Sequence, residues 1–441
     1  MNKQQWITCA LEQGFESFEI YQEESRERTV SWYNGKTNTF VTSNVTGTSL
    51  RGVIDGRMVT FATEDPDDRM MVSVITSMKD QAAVTGDEEP GIIRRPEEPK
   101  VTAEPGTWVR PSVAEITDLL ARTEKQILAY DPRIIMASRI QWSEETAVRT
   151  IVNSYGMHAE DRNTVQVLIA GAAAKEGNEV KNTYESEPVR EIGTFDLDKF
   201  VAKTCDAALN KLGASSLSSN TYPVIFEREA MTSLFTAFSG MFSGEMISKG
   251  ISPLTDKLNT KIFSEKITVI DDPGSQETVT MYRYDDEGCP TFRKTVVDQG
   301  VFRTILHNSA SAAKMNAEST GNGFKASYAS TVGVRPMNCF IQKGDKTLDE
   351  LCSEMKDGFV ITNLAGLHAG IDSVTTNFSL QCSGYWVKDG VRDHSVSLVT
   401  TAGNFLELLK NVTAVGNDLD WGDRSAACPS IAFSGCAIAG E

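Results

Sequence analysis

Histidine is scarce in this chain, with only four residues among 441. They are His158, His307, His368 and His394, which share no spacing typical of metal ligands and fall in different predicted elements. The eight cysteines are scattered without any CxxC pair, so in a chain of this length a disulfide framework is not indicated. Most of these thiols are expected to be reduced and buried as small apolar side chains.

Long apolar runs and basic clusters are also missing. No segment reaches transmembrane length, and the N-terminal MNKQQWITCALEQG has no apolar run behind a basic start, so neither export nor membrane insertion is indicated. We therefore expect a cytoplasmic protein without membrane contact. The formal net charge is −17, and Arg94 and Arg95 are balanced by Glu97 and Glu98, so direct nucleic-acid binding is not expected.

Several common catalytic signatures are absent as well. No GxSxG elbow, Walker loop or Rossmann fingerprint occurs in a suitable strand–helix context. Ser239 has no His or Asp partner suggested nearby, and the small residues around it are typical of packing contacts. Gly321-Asn322-Gly323 indicates a loop and not a phosphate cradle, because no strand closely precedes it.

The composition predicts a globular α+β protein of two domains. Apolar residues make up 40% and charged residues 23%, and 441 residues exceed one ordinary core. The polar run Gly213–Asn220 is the predicted boundary between an N-terminal domain of hairpins and helices, 1–215, and a β-rich antiparallel C-terminal domain with a few helices, 220–441. Within the first domain, the Pro/Glu-rich stretch 86–110 is predicted to be a surface connection.

The N-terminal domain is predicted to begin with β-hairpins. Asn34-Gly35 and Asp55-Gly56 each lie between strand-like segments and supply the positive φ angles of tight turns. Apolar periodicity then predicts further elements. The expected helices are 66–84, 111–130 and 196–212, and the expected strands are 133–142, 146–154 and 163–174.

The C-terminal domain is predicted to open with a buried strand, YPVIF at 222–226, that leads into a helix over 227–242. The stretch 358–419 is punctuated by glycines and rich in β-branched and aromatic residues, which predicts short antiparallel strands. Asp389-Gly390 is the expected turn of one hairpin. Asn404, with Glu407 three residues later, is the expected cap of a short helix.

Several motifs of this half resemble the TldD/PmbA family of peptide-processing proteins. They are the YPVIF strand and its helix, GVFRTILHNSASAA at 300–313, DGFVITNLAG at 357–366, CSGYWVKDG at 382–390, the Ala402-Gly403-Asn404 turn, VGNDL at 415–419 and the terminal AIAGE. The resemblance spans about 220 residues and is highly specific there. Before residue 215 it rests on length, order of elements and the opening hairpins.

The resemblance implies one of two kinds of subunit. TldD-like members are zinc metallopeptidases with a HExxxH helix and a downstream cysteine ligand, whereas PmbA-like members, also called TldE, lack these ligands and pair with the first kind. Placing the motif after YPVIF aligns Glu229 with its glutamate, and aligns Arg228 and Ser233 with its two histidines. Arginine has no lone pair to offer at neutral pH, and a serine hydroxyl is a poor zinc ligand. Cys428 falls near the family's third ligand, but one thiol alone does not hold zinc.

The resulting interpretation is a PmbA/TldE-like subunit of a TldD/PmbA-type metalloprotease. It binds no cofactor of its own, zinc is expected in a TldD-like partner, and the substrate is a peptide or an unfolded protein segment. His368, in the loop GLHAG, is a possible lining residue of the substrate cleft.

Two alternatives remain open at this point. One is a stand-alone peptidase with an atypical site made of Glu229, Cys428 and His368. The other is a non-catalytic binding or regulatory protein that self-associates, which would suit the family's association with modulation of DNA gyrase.

Overall fold

The computed structural model describes residues 1–64, 66–84 and 91–441. One antiparallel sheet organises the N-terminal half. Its strands are β1 Ser17–Tyr33, β2 Lys36–Ile54, β3 Arg57–Thr63, β4 Ile134–Asn153, β5 His158–Glu176 and β6 Glu179–Pro188. Across the sheet they follow the order β3-β2-β1-β4-β5-β6. The predicted hairpin turns are confirmed, since Asn34, Gly35, Asp55 and Gly56 all have positive φ angles between paired strands.

The predicted strands 133–142 and 146–154 were wrong as separate elements, because both belong to the continuous strand β4. Glu144, in the predicted gap, stands opposite Arg28 of β1 and forms a buried ion pair with it. Because Glu144 is paired with Arg28, β4 stays hydrogen-bonded to β1 at the point where the alternation of apolar residues stops. Strand β6 was not predicted, because its polar sequence has no alternation from which to recognise an edge strand.

Two pairs of helices cover opposite ends of one face of this sheet. These helices are α1 Lys3–Glu12, α2 Met71–Ala82, α3 Val113–Tyr130 and α4 Leu197–Leu209. Helices α1 and α2 pack on Phe18 and Ile20, whereas α3 and α4 pack on Val30, Trp142 and Leu168. Because alternate residues of a strand share a face, the stretch of β1 between Ile20 and Val30 exposes part of the same face between the two pairs.

The connection predicted at 86–110 contains no helix or strand over residues 91–110, and residues 86–90 lie outside the described part of the chain. The predicted helices 66–84, 111–130 and 196–212 correspond to α2, α3 and α4. Helix α1 was not predicted. None of the helices in the described ranges is both long enough and apolar enough to cross a membrane.

The C-terminal half contains a closed six-stranded sheet, a five-stranded sheet and a two-stranded sheet. The first consists of β7 Asn220–Phe226, β14 Gly358–Ala365, β15 Asn377–Lys388, β16 Val391–Asn404, β17 Val412–Val415 and β19 Ile431–Ala439. The second consists of β8 Val269–Asp271, β9 Lys294–Asp298, β10 Val301–Phe302, β13 Cys339–Ile341 and β18 Ala426–Ala427. The third pairs β11 Gly323–Lys325 with β12 Val332–Val334.

The sheet order β16-β15-β14-β7-β19-β17 closes through an additional pairing of β16 with β19. The α+β class and the β-rich C-terminal half are confirmed. Most strand pairs there are antiparallel, as predicted, but β7 pairs with β14 and β13 with β18 in parallel. A parallel pair needs a long connection, and residues 227–357 provide it between β7 and β14.

Five helices accompany these sheets: α5 Arg228–Phe238, α6 Gly244–Ser248, α7 Ser309–Lys314, α8 Leu348–Met355 and α9 Phe405–Lys410. Helix α5 lies in the main core, where Met231, Leu234 and Phe235 are fully buried. The predicted cap of α9 is confirmed, since the Asn404 side chain accepts a hydrogen bond from the Glu407 backbone N–H. The division into domains at 1–215 and 220–441 stays a prediction.

Candidate functional site

Strand β7 runs directly into helix α5 and places the degenerate motif at the start of that helix. Glu227 is the N-cap, and its Oε2 accepts a hydrogen bond from the Glu229 backbone N–H at 3.2 Å. The Arg228 backbone N–H donates to Ser430 Oγ at 3.1 Å, which ties the first turn of α5 to the residue that precedes β19. The apolar side of α5 is buried, so the first turn is rigidly positioned.

Arg228 and Glu229 are both engaged in ion pairs. Arg228 Nη1 lies 3.5 Å from Asp420 Oδ2, and Arg228 Nε lies 3.5 Å from Glu227 Oε1. Glu229 Oε1 lies 3.2 Å from Nζ of Lys203, a residue of α4 in the N-terminal half. The glutamate of the motif therefore faces a cation of the other half.

Ser233 does not offer a free ligand atom, because its hydroxyl donates to the Glu229 carbonyl oxygen at 2.8 Å. Helix α5 is a regular α-helix from Arg228 to Phe238. Two side chains five residues apart on such a helix diverge by about 140°. Positions 228 and 233 consequently point in different directions.

The structure brings Cys428 to this helix. Its backbone N–H donates to Thr232 Oγ1 at 2.8 Å, and its side chain is fully buried. Burial raises the pKa of the Cys428 thiol far above its usual value, so the thiol is protonated at neutral pH. Of positions 228, 233 and 428, Cys428 alone carries an atom of the kind that zinc prefers, because Arg228 is held in ion pairs and Ser233 is bonded to the backbone, and one such atom does not hold zinc. In the described ranges, no three His, Cys, Asp or Glu residues are grouped so as to hold a metal.

His368 lies elsewhere. It is exposed in the turn that follows β14, and it is not among the residues that line the cavities beside Arg228. Glu229 and Cys428 thus meet at α5, whereas His368 does not join them.

A cleft between the two halves contains the first turn of α5. It consists of two adjoining cavities of about 540 and 420 Å³. Its walls come from strands β4 and β6 and helix α4 on one side, and from α5, strands β14 to β16 and the loop 420–424 on the other. Lys203, Arg228 and Glu229 line both cavities.

Acidic groups in the cleft have shifted pKa values. Burial, followed by repulsion from Glu229, raises the pKa of Glu227 to about 7. Burial likewise raises the pKa of Glu185, a residue of β6. Burial opposes the charge of Lys203, but attraction to Glu185 and Glu229 is larger in sum and raises the pKa of its ammonium. Lys203 is therefore the charged link between the walls.

The sequence did not indicate Lys203, Glu185 or Asp420 as site residues. Lys203 lies on the polar side of an ordinary amphipathic helix, and Glu185 lies in a strand that was not predicted. Asp420 follows the motif VGNDL by one residue, which is the one signal that pointed near it.

The chain matches three models of one family along most of its length. They are the PmbA/TldA metallopeptidase domain 1 over residues 18–82, the central domain over 107–212 and the C-terminal domain over 219–440. The chain belongs to the PmbA/TldD family. The family predicted from the C-terminal motifs is thereby confirmed, and the matches extend it to the N-terminal half.

Relatives and solved structures agree with this assignment. The metalloprotease PmbA of Escherichia coli O157:H7 is 27% identical over 328 residues, which cover 74% of this chain and 70% of that protein. The PmbA homolog of Haemophilus influenzae is 26% identical over 314 residues, or 70% of this chain and 66% of that protein. Both are named metalloproteases, so a peptidase role holds at the level of the family.

Two solved structures share the whole fold. A proposed modulator of a DNA gyrase from Thermotoga maritima superposes with a TM-score of 0.89 at 28% identity, over 99% of each chain. TldE from Thermococcus kodakarensis has a TM-score of 0.89 at 22% identity, over 99% of this chain and 100% of that one. At 22% identity, the similarity to TldE from Thermococcus kodakarensis concerns the fold alone.

Proposed function

We propose that this chain is a PmbA/TldE-like subunit of a cytoplasmic TldD/PmbA-type metalloprotease that carries no zinc site of its own. A TldD-like partner supplies the zinc and the catalytic base, and the pair processes peptides or unstructured protein segments. One observation carries the proposal. At the place of the family's zinc helix, Arg228 is ion-paired with Asp420 and Ser233 is bonded to the backbone of its own helix.

The cleft supports a role in holding substrate. It lies between the two halves, its volume suits a peptide segment of a few residues, and it carries both cationic and anionic side chains. Side chains of both signs can orient an extended chain through its polar groups without selecting one sequence. The names of the two PmbA relatives further favour this kind of subunit over the TldD kind.

Purification of the native complex tests the proposal. A tagged full-length chain is recovered from its source cells, its partners are identified by mass spectrometry, and zinc is measured per subunit. We expect a HExxxH-bearing partner, with zinc that stays with that partner when the two are separated. A Cys428→Ala variant, as a matched control, should leave the zinc content of the complex unchanged. One equivalent of zinc on the isolated chain, lost in Cys428→Ala, would overturn the proposal.

A second candidate is a regulatory protein that acts as a homo-oligomer. The Thermotoga maritima relative, named as a proposed modulator of a DNA gyrase, favours this candidate. It predicts self-association in light scattering and no peptidase subunit in the purified complex. The third possibility, a stand-alone site from Glu229, Cys428 and His368, is disfavoured because His368 lies outside the cleft and Cys428 is buried as a thiol.

A further inference from the structure

A polar patch lies on the N-terminal sheet, on the face that carries the helix pairs and between those pairs. Three neighbouring strands contribute three rows of side chains in register, because alternate residues share a face. The rows are Glu24–Val148–Arg162, Arg26–Thr146–Thr164 and Arg28–Glu144–Gln166, each read from β1 through β4 to β5. Polar side chains occupy eight of these nine positions.

A cavity of about 270 Å³ opens over this patch. The segment 108–111 forms one wall, with Trp108 facing the cavity. Gln166 Nε2 donates to the Val109 carbonyl at 3.3 Å, and Arg28 Nη2 donates to the Pro111 carbonyl at 2.9 Å. The wall is therefore fixed to the floor by buried side chains, so the cavity is a built feature of the sheet.

The cavity carries a surplus of positive charge in an otherwise acidic protein. Arg26, Arg110 and Arg162 face Glu24 and Glu144 across it. Glu144 is already paired with Arg28 and with Arg110. Arg26 and Arg162 have no ion-pair partner within the described ranges. Arg26 stands opposite Thr146 and Arg162 opposite Val148, on the two strands that flank β4. Their backbones are about 12 Å apart, so their long side chains can close on one anion between them.

The floor also has an unused hydrogen-bond acceptor. Gln166 is fully buried, and its Oε1 has no partner among the residues that the structure describes. A buried acceptor without a donor is costly, and a ligand N–H would satisfy it. The hydroxyls of Thr146 and Thr164 lie 3.0 Å apart, so one of them donates to the other and the second proton stays available for a ligand.

We propose that this cavity binds a small monocarboxylate that also carries an N–H donor, such as an amino acid blocked at its amine. The two unpaired arginines take the carboxylate, and Gln166 accepts the N–H. The surplus of one positive charge suits a monoanion. A phosphate dianion would bring a second negative charge close to Glu24 and Glu144.

Calorimetric titration of the full-length protein with N-acetylglycine tests the proposal. We expect saturable binding to the native protein, weakened at least tenfold in Arg26→Gln and in Arg162→Gln. Arg122→Gln removes an exposed arginine of α3 and serves as the matched control, with binding within twofold of the native protein. The methyl ester of N-acetylglycine, which lacks the carboxylate, should not bind.

Absence of saturable binding would overturn the proposal, as would equal binding by the two arginine variants or by the ester. Binding of inorganic phosphate in place of N-acetylglycine would overturn the choice of a carboxylate. The comparison of acid with ester uses only the native protein, so it decides the matter even if a variant fails to fold.

Discussion

The polar atoms of Arg228 and Ser233 are bonded to other groups of the same chain. The arginine pairs with Asp420 and Glu227, and the serine hydroxyl donates a hydrogen bond to a backbone carbonyl of α5. Removing the Arg228 side chain would leave Asp420 and Glu227 without this cation, so Arg228 shapes the charge of the cleft. Ser233 does not line the cleft, and the neighbouring Thr232 contacts the buried Cys428.

Histidines introduced at positions 228 and 233 should create a metal site. In the double variant Arg228→His and Ser233→His, we expect zinc affinity at least tenfold above that of the native chain, because a widened turn at the start of α5 would bring the two imidazoles together near the Cys428 thiol. Equilibrium dialysis with zinc measures the gain. Cys428→Ala in the same background should abolish most of it. No gain at all would mean that α5 does not widen enough to converge the imidazoles, or that the motif is misplaced.

Glu227 should make the stability of the protein depend on pH. Its pKa is about 7 in the folded state and about 4.3 when unfolded, so the folded protein binds more protons between these values. The free energy of unfolding therefore falls as pH rises from about 4.3 to 7. The Glu227→Gln variant has no carboxyl group to ionise at this position, so it does not lose this part of its stability. We expect the variant to be more stable than the native chain by about 1–2 kcal/mol at pH 8, with a smaller difference at pH 5.

Urea denaturation at the two pH values measures the effect. The exposed Glu407 provides the control, since Glu407→Gln should change stability equally little at pH 5 and pH 8. A Glu227→Gln variant that is less stable than the native chain at pH 8 would contradict the prediction.

At the scale of elements, the hairpin of β14 and β15 depends on a glycine. The ladder shifts register between Ile361 and Asn363, and Gly384 faces this irregularity. A Cβ at Gly384 would lie 1.8 Å from the Val360 carbonyl oxygen. The close approach of the two backbones explains why glycine occurs within a strand there. Ser383 and Gly384 also line the cleft, so the bulge shapes the site.

Gly384→Ala should destabilise the protein by about 3 kcal/mol, because a backbone atom blocks the added methyl group. Gly333→Ala is the matched control in β12, where a Cβ would meet no atom within 4 Å, and its effect should stay within about 0.5 kcal/mol. Urea denaturation of the two variants provides the comparison. Equal stability of both would show that the bulge relaxes at little cost.

At the scale of the whole molecule, buried ion pairs join the N-terminal sheet to the C-terminal half. Arg149 of β4 contacts Asp286 and lies 3.6 Å from Asp161. Arg51 of β2 pairs with Glu19 and lies 3.5 Å from Glu287. These charges lie on the sheet face opposite the polar patch. They hold the two walls of the cleft in one arrangement.

Arg149→Leu should cost about 3 kcal/mol, because it leaves two buried carboxylates without their shared cation. Arg133→Leu breaks an exposed pair with Asp131 and should cost less than about 1 kcal/mol. Unfolding followed by tryptophan fluorescence measures both. Similar losses in the two variants would mean that the contact between the halves adds little to stability.

Much of the fold was predictable from local pattern. Local interactions between residues a few positions apart determine the Asn-Gly and Asp-Gly turns, the amphipathic helices α3 and α4, and the cap of α9. Strand β6 and the continuity of β4 were not predictable. Both depend on cross-strand partners, such as Arg28 for Glu144, that lie far away in sequence.

The sequence by itself determined the family, through the motifs of the C-terminal half, and it predicted that Arg228 and Ser233 occupy the two histidine positions of the family's zinc motif, since both inferences depend only on residue types and their order. Only the tertiary structure decided where those residues act. Lys203, Glu185 and Asp420 meet Arg228 and Glu229 across a cleft between two halves, and the polar patch forms from three strands in register. Electrostatic and hydrogen-bond partners depend on distance in space, and that distance is set by how the sheets pack.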